Sequence, residues 1–269
     1  MTVPPTLATA TVTAKDATPT RWIVFLHGIL GSGANWRTFA RRIVEQRPHW
    51  GALLVDLRLH GESRGFEAPH TLALAARDVV EAVSGHDVRA ILGHSFGGKV
   101  AIDAARDLPL EHLIVVDATP GARPDGRGSS GVRHIVDLLT RLPQTFPDRD
   151  AFTAWAEERG VSRQTSMWLA MNVRPTEDGA FTFRLDIAAI RSMMDDYFLR
   201  DVWDVIENRD GRTRQTHLIA GGRSQVLDEA DIARGRALPG VTVDVIPDAG
   251  HWVHVDAPDL LRDLVLGWL

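Results

Sequence analysis

The chain has 269 residues, 44% of them apolar, with a formal net charge of −5 and no cysteine. That length carries one large α/β domain with an insertion; the acidic balance and scattered arginines speak against a nucleic-acid surface, and the missing thiols exclude disulfides, thiolate zinc sites and a cysteine nucleophile. No stretch is long enough to span a bilayer, residues 1–14 lack the basic start and apolar core of a signal peptide, and the absence of cysteine leans the expected compartment toward the cytoplasm.

Residues 8–14 alternate small, apolar and threonine side chains, as an edge strand does, and Trp22-Ile23-Val24-Phe25-Leu26 is an apolar run suited to a central strand. His27-Gly28 ends that run, and the loop Gly28-Ile29-Leu30-Gly31-Ser32-Gly33 leads into a helical pattern over 35–46 with Trp36, Phe39, Ile43 and Val44 on one face. Residues 52–55 read as a second buried strand, closed by Asp56-Leu57-Arg58-Leu59-His60-Gly61-Glu62-Ser63, and 71–83 as a helix. A third apolar run, 88–92, leads through Gly93-His94-Ser95-Phe96-Gly97 into a helix, and 113–116 is a further strand with Asp117 at its carboxyl end. Strands alternating with helices at this spacing imply βαβ units and a mostly parallel sheet with helices on both faces. In such sheets the site lies at the carboxyl ends of the strands.

After 120 the rhythm breaks. Residues 121–209 hold no comparable strand; proline-punctuated helical patterns carry Trp155, Met167, Trp168, Met171, Met193, Met194, Tyr197 and Phe198. We read this stretch as a helical cap, or lid, inserted between core segments 1–120 and 210–269, with most of its aromatic and methionine side chains forming its own core. A few face the cleft, with Trp155, Trp168 and Met171 as candidates. The sheet resumes at 217–220 and 241–246, and the chain closes with Pro247-Asp248-Ala249-Gly250-His251-Trp252-Val253-His254 and a helix over 259–269.

Strand, Gly-x-Ser-x-Gly and helix form the pattern of a nucleophile elbow with Ser95 at its tip. Gly93 and Gly97 are expected where a Cβ would strike the neighbouring backbone. A serine hydroxyl is a weak nucleophile until a base takes its proton, and imidazole suits that task. Of eleven histidines, His251 follows the last strand through a short loop that brings its ring to the edge of the sheet where Ser95 stands. His94 is adjacent to Ser95 in a tight turn and points elsewhere, so it reads as structural or pocket-lining; His27 reads the same way, and His60 and His254 have no strand-end position aimed at Ser95. Trp252 is a further pocket candidate. An oxyanion needs preorganised N–H donors, and the amide after the nucleophile is that of Phe96.

The His27-Gly28 pair, the elbow over 93–97 and the late Gly250-His251 pair, each beside an expected strand, resemble the α/β-hydrolase fold over nearly the whole chain outside the insertion and the N-terminal tail. More narrowly, the stretches 56–63, 93–99 and 249–254 resemble the small YbfF-type esterases and their eukaryotic abhydrolase relatives. The resemblance implies acyl transfer by a Ser, His and acid triad with no metal or organic cofactor, and puts the second oxyanion amide on Ile29. It also implies an acid after the penultimate strand, yet Ser224 stands there. The other placement the superfamily uses falls on Asp117; Asp228, Asp186 or no acid at all are the alternatives.

Two readings follow. One is a serine hydrolase, carboxylesterase-like, acting on a small-molecule ester or thioester with a small to medium apolar acyl group, as a monomer or homodimer without nucleic-acid or membrane partners. The other is a non-catalytic binding protein of the same fold.

Overall fold

The computed structural model describes residues 5–128, 130–208 and 212–269. In chain order the first half holds β1 (Thr9–Val12), β2 (Arg21–Leu26), α1 (Arg37–Gln46), β3 (Trp50–Val55), α2 (Leu72–Ala82), β4 (Val88–His94), α3 (Phe96–Ala104) and β5 (His112–Val116). Then come α4 (Ser130–Leu139), α5 (Arg149–Glu157), α6 (Arg163–Leu169), β6 (Val173–Pro175), β7 (Phe181–Phe183), α7 (Ile187–Leu199) and α8 (Trp203–Glu207). The chain ends with β8 (Gln215–Gly221), α9 (Glu229–Ala237), β9 (Val241–Ile246), α10 (Val253–Asp256) and α11 (Pro258–Trp268).

The main sheet has seven strands in the order β1-β3-β2-β4-β5-β8-β9; only β1 is antiparallel to its neighbour. Its apolar runs are continuous because both faces are covered, and the period of two sorts each run between two layers. Val24, Leu26, Leu53, Val55, Ile91 and Val115 pack in the core with α2, α3 and the insertion. Ile23, Phe25, Ala52, Leu54, Leu92 and Val116 pack in the other with α1 and α11. The face of α1 read from its 3.6-residue period, Phe39, Ile43 and Val44, is buried there together with Trp36.

Within the insertion, Asp148, Ser162 and Asp186 each accept the N–H three residues on, which starts α5, α6 and α7. The expectation of a strand-free insertion is corrected: β6 and β7 form an antiparallel pair, Val173 opposite Phe183, joined by a tight turn with Gly179 at φ 83. Two strands of three residues are too short to leave a period in the sequence. The expected boundary at Arg209 lies outside the described residues.

Candidate active site

Three βα turns meet at the carboxyl edge of the sheet. β4 passes through Ser95 into α3 with Ser95 at φ 54, a region costly for a residue with a side chain. The turn closes this tightly because it has no Cβ at two places: one on Gly93 would strike the Gly97 carbonyl, and one on Gly97 the His27 carbonyl. Five described residues other than glycine have positive φ, and three of them, Leu30, Ser95 and Asp117, stand at this edge.

His251 joins the other two side chains. Ser95 Oγ lies 3.0 Å from His251 Nε2, and His251 Nδ1 lies 2.7 Å from Asp117 Oδ2. With a carboxylate on Nδ1, that nitrogen carries the proton and Nε2 is left to accept from the serine. Asp117 is fully buried, and besides His251 it accepts the Gly221 N–H on Oδ1 at 3.1 Å and the Ser224 hydroxyl on Oδ2 at 2.5 Å. Ser224, set aside as unable to serve as the acid, thus donates to the Asp117 carboxylate. Asp228 and Asp186 are elsewhere engaged: Asp228 caps α9 through the Asp231 N–H and receives Arg123, and Asp186 caps α7 through the Ala189 N–H.

The loop after β2 faces the elbow. Gly28, Ile29, Ser95 and Phe96 line one cleft, of about 490 Å³, and neither the Ile29 nor the Phe96 N–H has an acceptor among the described residues. Two preorganised donors of that kind fit an oxyanion. No described cluster of three His, Asp or Glu side chains is arranged to hold a metal ion.

Three other histidines, His27, His94 and His254, line the cleft, and His60 packs behind them with its ring 5.0 Å from that of His27. His27 accepts the Leu57 N–H on Nε2 and donates to the Gly28 carbonyl, and burial pulls its pKa down to about 4. His60 accepts the Leu30 N–H and donates to the Arg58 carbonyl; burial, then repulsion from His27, pulls it to about 3. His94 donates to the His251 carbonyl at 2.8 Å, its ring 4.7 Å from that of His251, and burial holds it well below the usual histidine range. His254, which the chain order gave no place at the site, lines the cleft with its ring 4.7 Å from both His94 and Trp36, and burial brings it to about 4. Burial thus disfavours a positive charge on all four, and none of them sets a fixed cation beside His251 at neutral pH.

The cleft is also lined by Val132, Ile135, Trp168, Met194 and Phe198 of the insertion and by Trp252, whose ring packs edge-on to Trp168 at 4.7 Å. Two expected members are corrected. Trp155 packs inside the insertion against Phe146 and Phe152, and Met171 is 44% exposed outside the cleft, its sulfur 4.0 Å from Asn35 Nδ2. The arginines Arg123, Arg127 and Arg223 line the cleft as well, and nothing in their local sequence marks them for it. Arg123 is buried and paired with Asp231 at 2.6 Å and Asp228 at 3.1 Å. Lys99, four residues after Ser95, donates from a buried ammonium to the carbonyls of Gly121 (2.8 Å), Tyr197 (3.1 Å) and Arg200 (3.0 Å), tying both ends of the insertion to α3. Burial lowers its pKa to about 8.

Comparison with known proteins agrees with this architecture. The chain is 28% identical to the sn-1-specific diacylglycerol lipase ABHD11 of Mus musculus, over 92% of this chain and 80% of that protein. It is 24% identical to protein phosphatase methylesterase 1 of Schizosaccharomyces pombe, over 91% of this chain and 73% of that one. Among solved structures, a marine microorganism esterase superposes with a TM-score of 0.78 at 22% identity, covering 98% of this chain and 100% of its own. The profile described as Alpha/beta hydrolase family matches residues 23–264. This chain, with its elbow, its parallel sheet and a family match that runs over residues 23–264, belongs to the α/β-hydrolase family.

Proposed function

We propose that the protein is a serine hydrolase that cleaves a carboxylic ester or thioester through an acyl-enzyme. The observation that carries this reading is the continuous hydrogen-bonded line from Ser95 Oγ through His251 to buried Asp117, at the base of a cleft with two unengaged N–H groups. In the reaction, Ser95 Oγ attacks the acyl carbon while its proton passes to His251 Nε2, and Asp117 holds the imidazolium that results. The carbonyl oxygen becomes an oxyanion between the Ile29 and Phe96 N–H groups. As the intermediate collapses, the bond to the leaving oxygen or sulfur breaks and His251 returns the proton to it. Water then enters, loses its proton to His251 and attacks the acyl-enzyme, and Ser95 recovers its hydrogen as the acid departs.

The insertion over 121–209 acts as the lid, and its apolar wall of Val132, Ile135, Trp168, Met194 and Phe198 suits an apolar acyl group of small to medium size. Relatives that are a lipase and a methylesterase support ester chemistry. No helix among the described residues is long and apolar enough to cross a membrane. The serine at position 224 favours the reading as a non-catalytic binding protein; the carboxylate of Asp117 beside His251 Nδ1 supports the hydrolase reading over it.

The test is labelling with a fluorophosphonate probe together with turnover of p-nitrophenyl esters of graded chain length. Ser95→Ala is expected to lose both while melting like the unmutated protein, since it deletes one hydroxyl from a turn whose backbone alanine tolerates equally well. Full turnover by a folded Ser95→Ala protein would refute the mechanism.

A further inference from the structure

The Ile29 N–H belongs to the same peptide unit as the Gly28 carbonyl, and in a trans peptide the two point in opposite directions, so whatever holds the carbonyl aims the N–H. Two groups hold it: the Gly31 N–H at 3.0 Å and His27 Nδ1–H at 2.7 Å. The Gly31 N–H in turn shares a peptide unit with the Leu30 carbonyl, and that carbonyl accepts from Asn172 Nδ2 at 2.8 Å. Asn172 is 8% exposed and lies in the insertion, 142 residues along the chain from Leu30. Its own backbone is tied to the β6–β7 hairpin, because its carbonyl accepts the Arg184 N–H at 3.0 Å. Leu30 sits between these units at φ 64, a left-handed conformation that leucine keeps only where its surroundings hold it. Its N–H donates to His60 Nε2 at 2.9 Å, so the core holds one side of this residue and the insertion the other.

From this geometry we infer that Asn172 is a positioning residue for the oxyanion hole: its amide, acting through the Leu30–Gly31 and Gly28–Ile29 peptides, sets the direction of the Ile29 N–H. Two consequences follow. The hole is complete only when the insertion is seated, so the insertion contributes to the rate of the chemical step and not only to substrate preference. And because each bond polarises the next, the Asn172 donor strengthens the whole line toward Ile29. The inference rests on the hydrolase reading above, with Ile29 as an oxyanion donor.

Three variants test it. Asn172→Leu removes the donor while keeping the branch at Cγ, Asn172→Asp sets an oxygen against the Leu30 carbonyl, and Asn172→Gln keeps an amide donor on a longer arm. With an activated ester, kcat is expected to fall about tenfold to a hundredfold in the first two, short of the full loss seen when a hole donor is deleted outright. KM is expected to stay within about twofold, the pattern of an interaction made only in the transition state. Affinity for a trifluoromethyl ketone, whose adduct with Ser95 carries an oxyanion in the hole, should fall in parallel, and Asn172→Gln should recover part of both. Circular dichroism melts show which variants fold, and Asn172→Asp serves if Asn172→Leu does not. Folded variants with unchanged kcat and ketone affinity, whatever their KM, overturn the assignment while leaving the hydrolase reading intact. Failure of the unmutated protein both to turn over esters and to bind the ketone overturns the hydrolase reading, and this assignment with it.

Discussion

Asp117→Asn separates the two carboxylates that compete for the acid's role. In the native site the carboxylate takes three donors: His251 Nδ1–H and the Ser224 hydroxyl on Oδ2, and the Gly221 N–H on Oδ1. An asparagine of the same shape keeps its oxygen on Gly221 and turns an NH₂ toward His251. Nδ1 must then become the acceptor, the ring proton moves to Nε2, and the nitrogen 3.0 Å from Ser95 Oγ can no longer take its proton. The buried negative charge that balances the imidazolium is lost in the same change. Serine proteases lose about ten-thousand-fold in turnover from the equivalent substitution, which at 1.36 kcal/mol per decade is about 5 kcal/mol of barrier. A loss of that order is expected here. Asp228→Asn should cost little: asparagine is as good a helix cap as aspartate, and Arg123 keeps its shorter pair with Asp231 at 2.6 Å. The assay is kcat for both variants on one p-nitrophenyl ester, with folding followed by circular dichroism. A severe defect in Asp228→Asn beside a mild one in Asp117→Asn would refute the assignment.

Two further outcomes follow from the same geometry. His27, His60 and His254 have folded pKa values lowered from 6.5 to about 4, 3 and 4 by burial, so the unfolded chain binds protons first. Their contribution to stability is complete above pH 6.5 and is lost as the pH falls toward 4 and then 3; urea midpoints should therefore drop between pH 7 and 5, and a flat midpoint would refute it. In the insertion, alanine at Trp168, Met194 or Phe198 should shift preference among acyl chain lengths. The same change at Trp155 or Met171 should leave it untouched, because only the first three line the cleft. A shift from Trp155→Ala equal to that from Trp168→Ala would count against this.

Local pattern alone determined a good deal of this protein. Burial on both faces forces a parallel strand to be apolar throughout, so β2, β3, β4, β5 and β8 were each legible as runs, and the alternation of strands with helices implied their parallel order. The turn after β4 needs glycine on either side of a strained residue, so Ser95 announced itself, and a histidine a few residues past the last strand was bound to return to the same edge. What five or ten residues cannot encode is which distant groups meet. Asp117 and Ser224 are 107 residues apart, and they touch because β5 and β8 are neighbours in register, Val116 beside Ile219. Asn172 reaches Leu30 across 142 residues, and its neighbourhood in the chain shows only polar and apolar residues of an ordinary short helix. His254 enters the cleft because α10 turns back immediately after His251, and Trp155 leaves it because the insertion needs a core of its own. The strand runs and the elbow follow from contacts between near neighbours. The partners of Asp117, the walls of the cleft and the hold on the Gly28–Leu30 loop come from long-range closure, which only the folded chain decides.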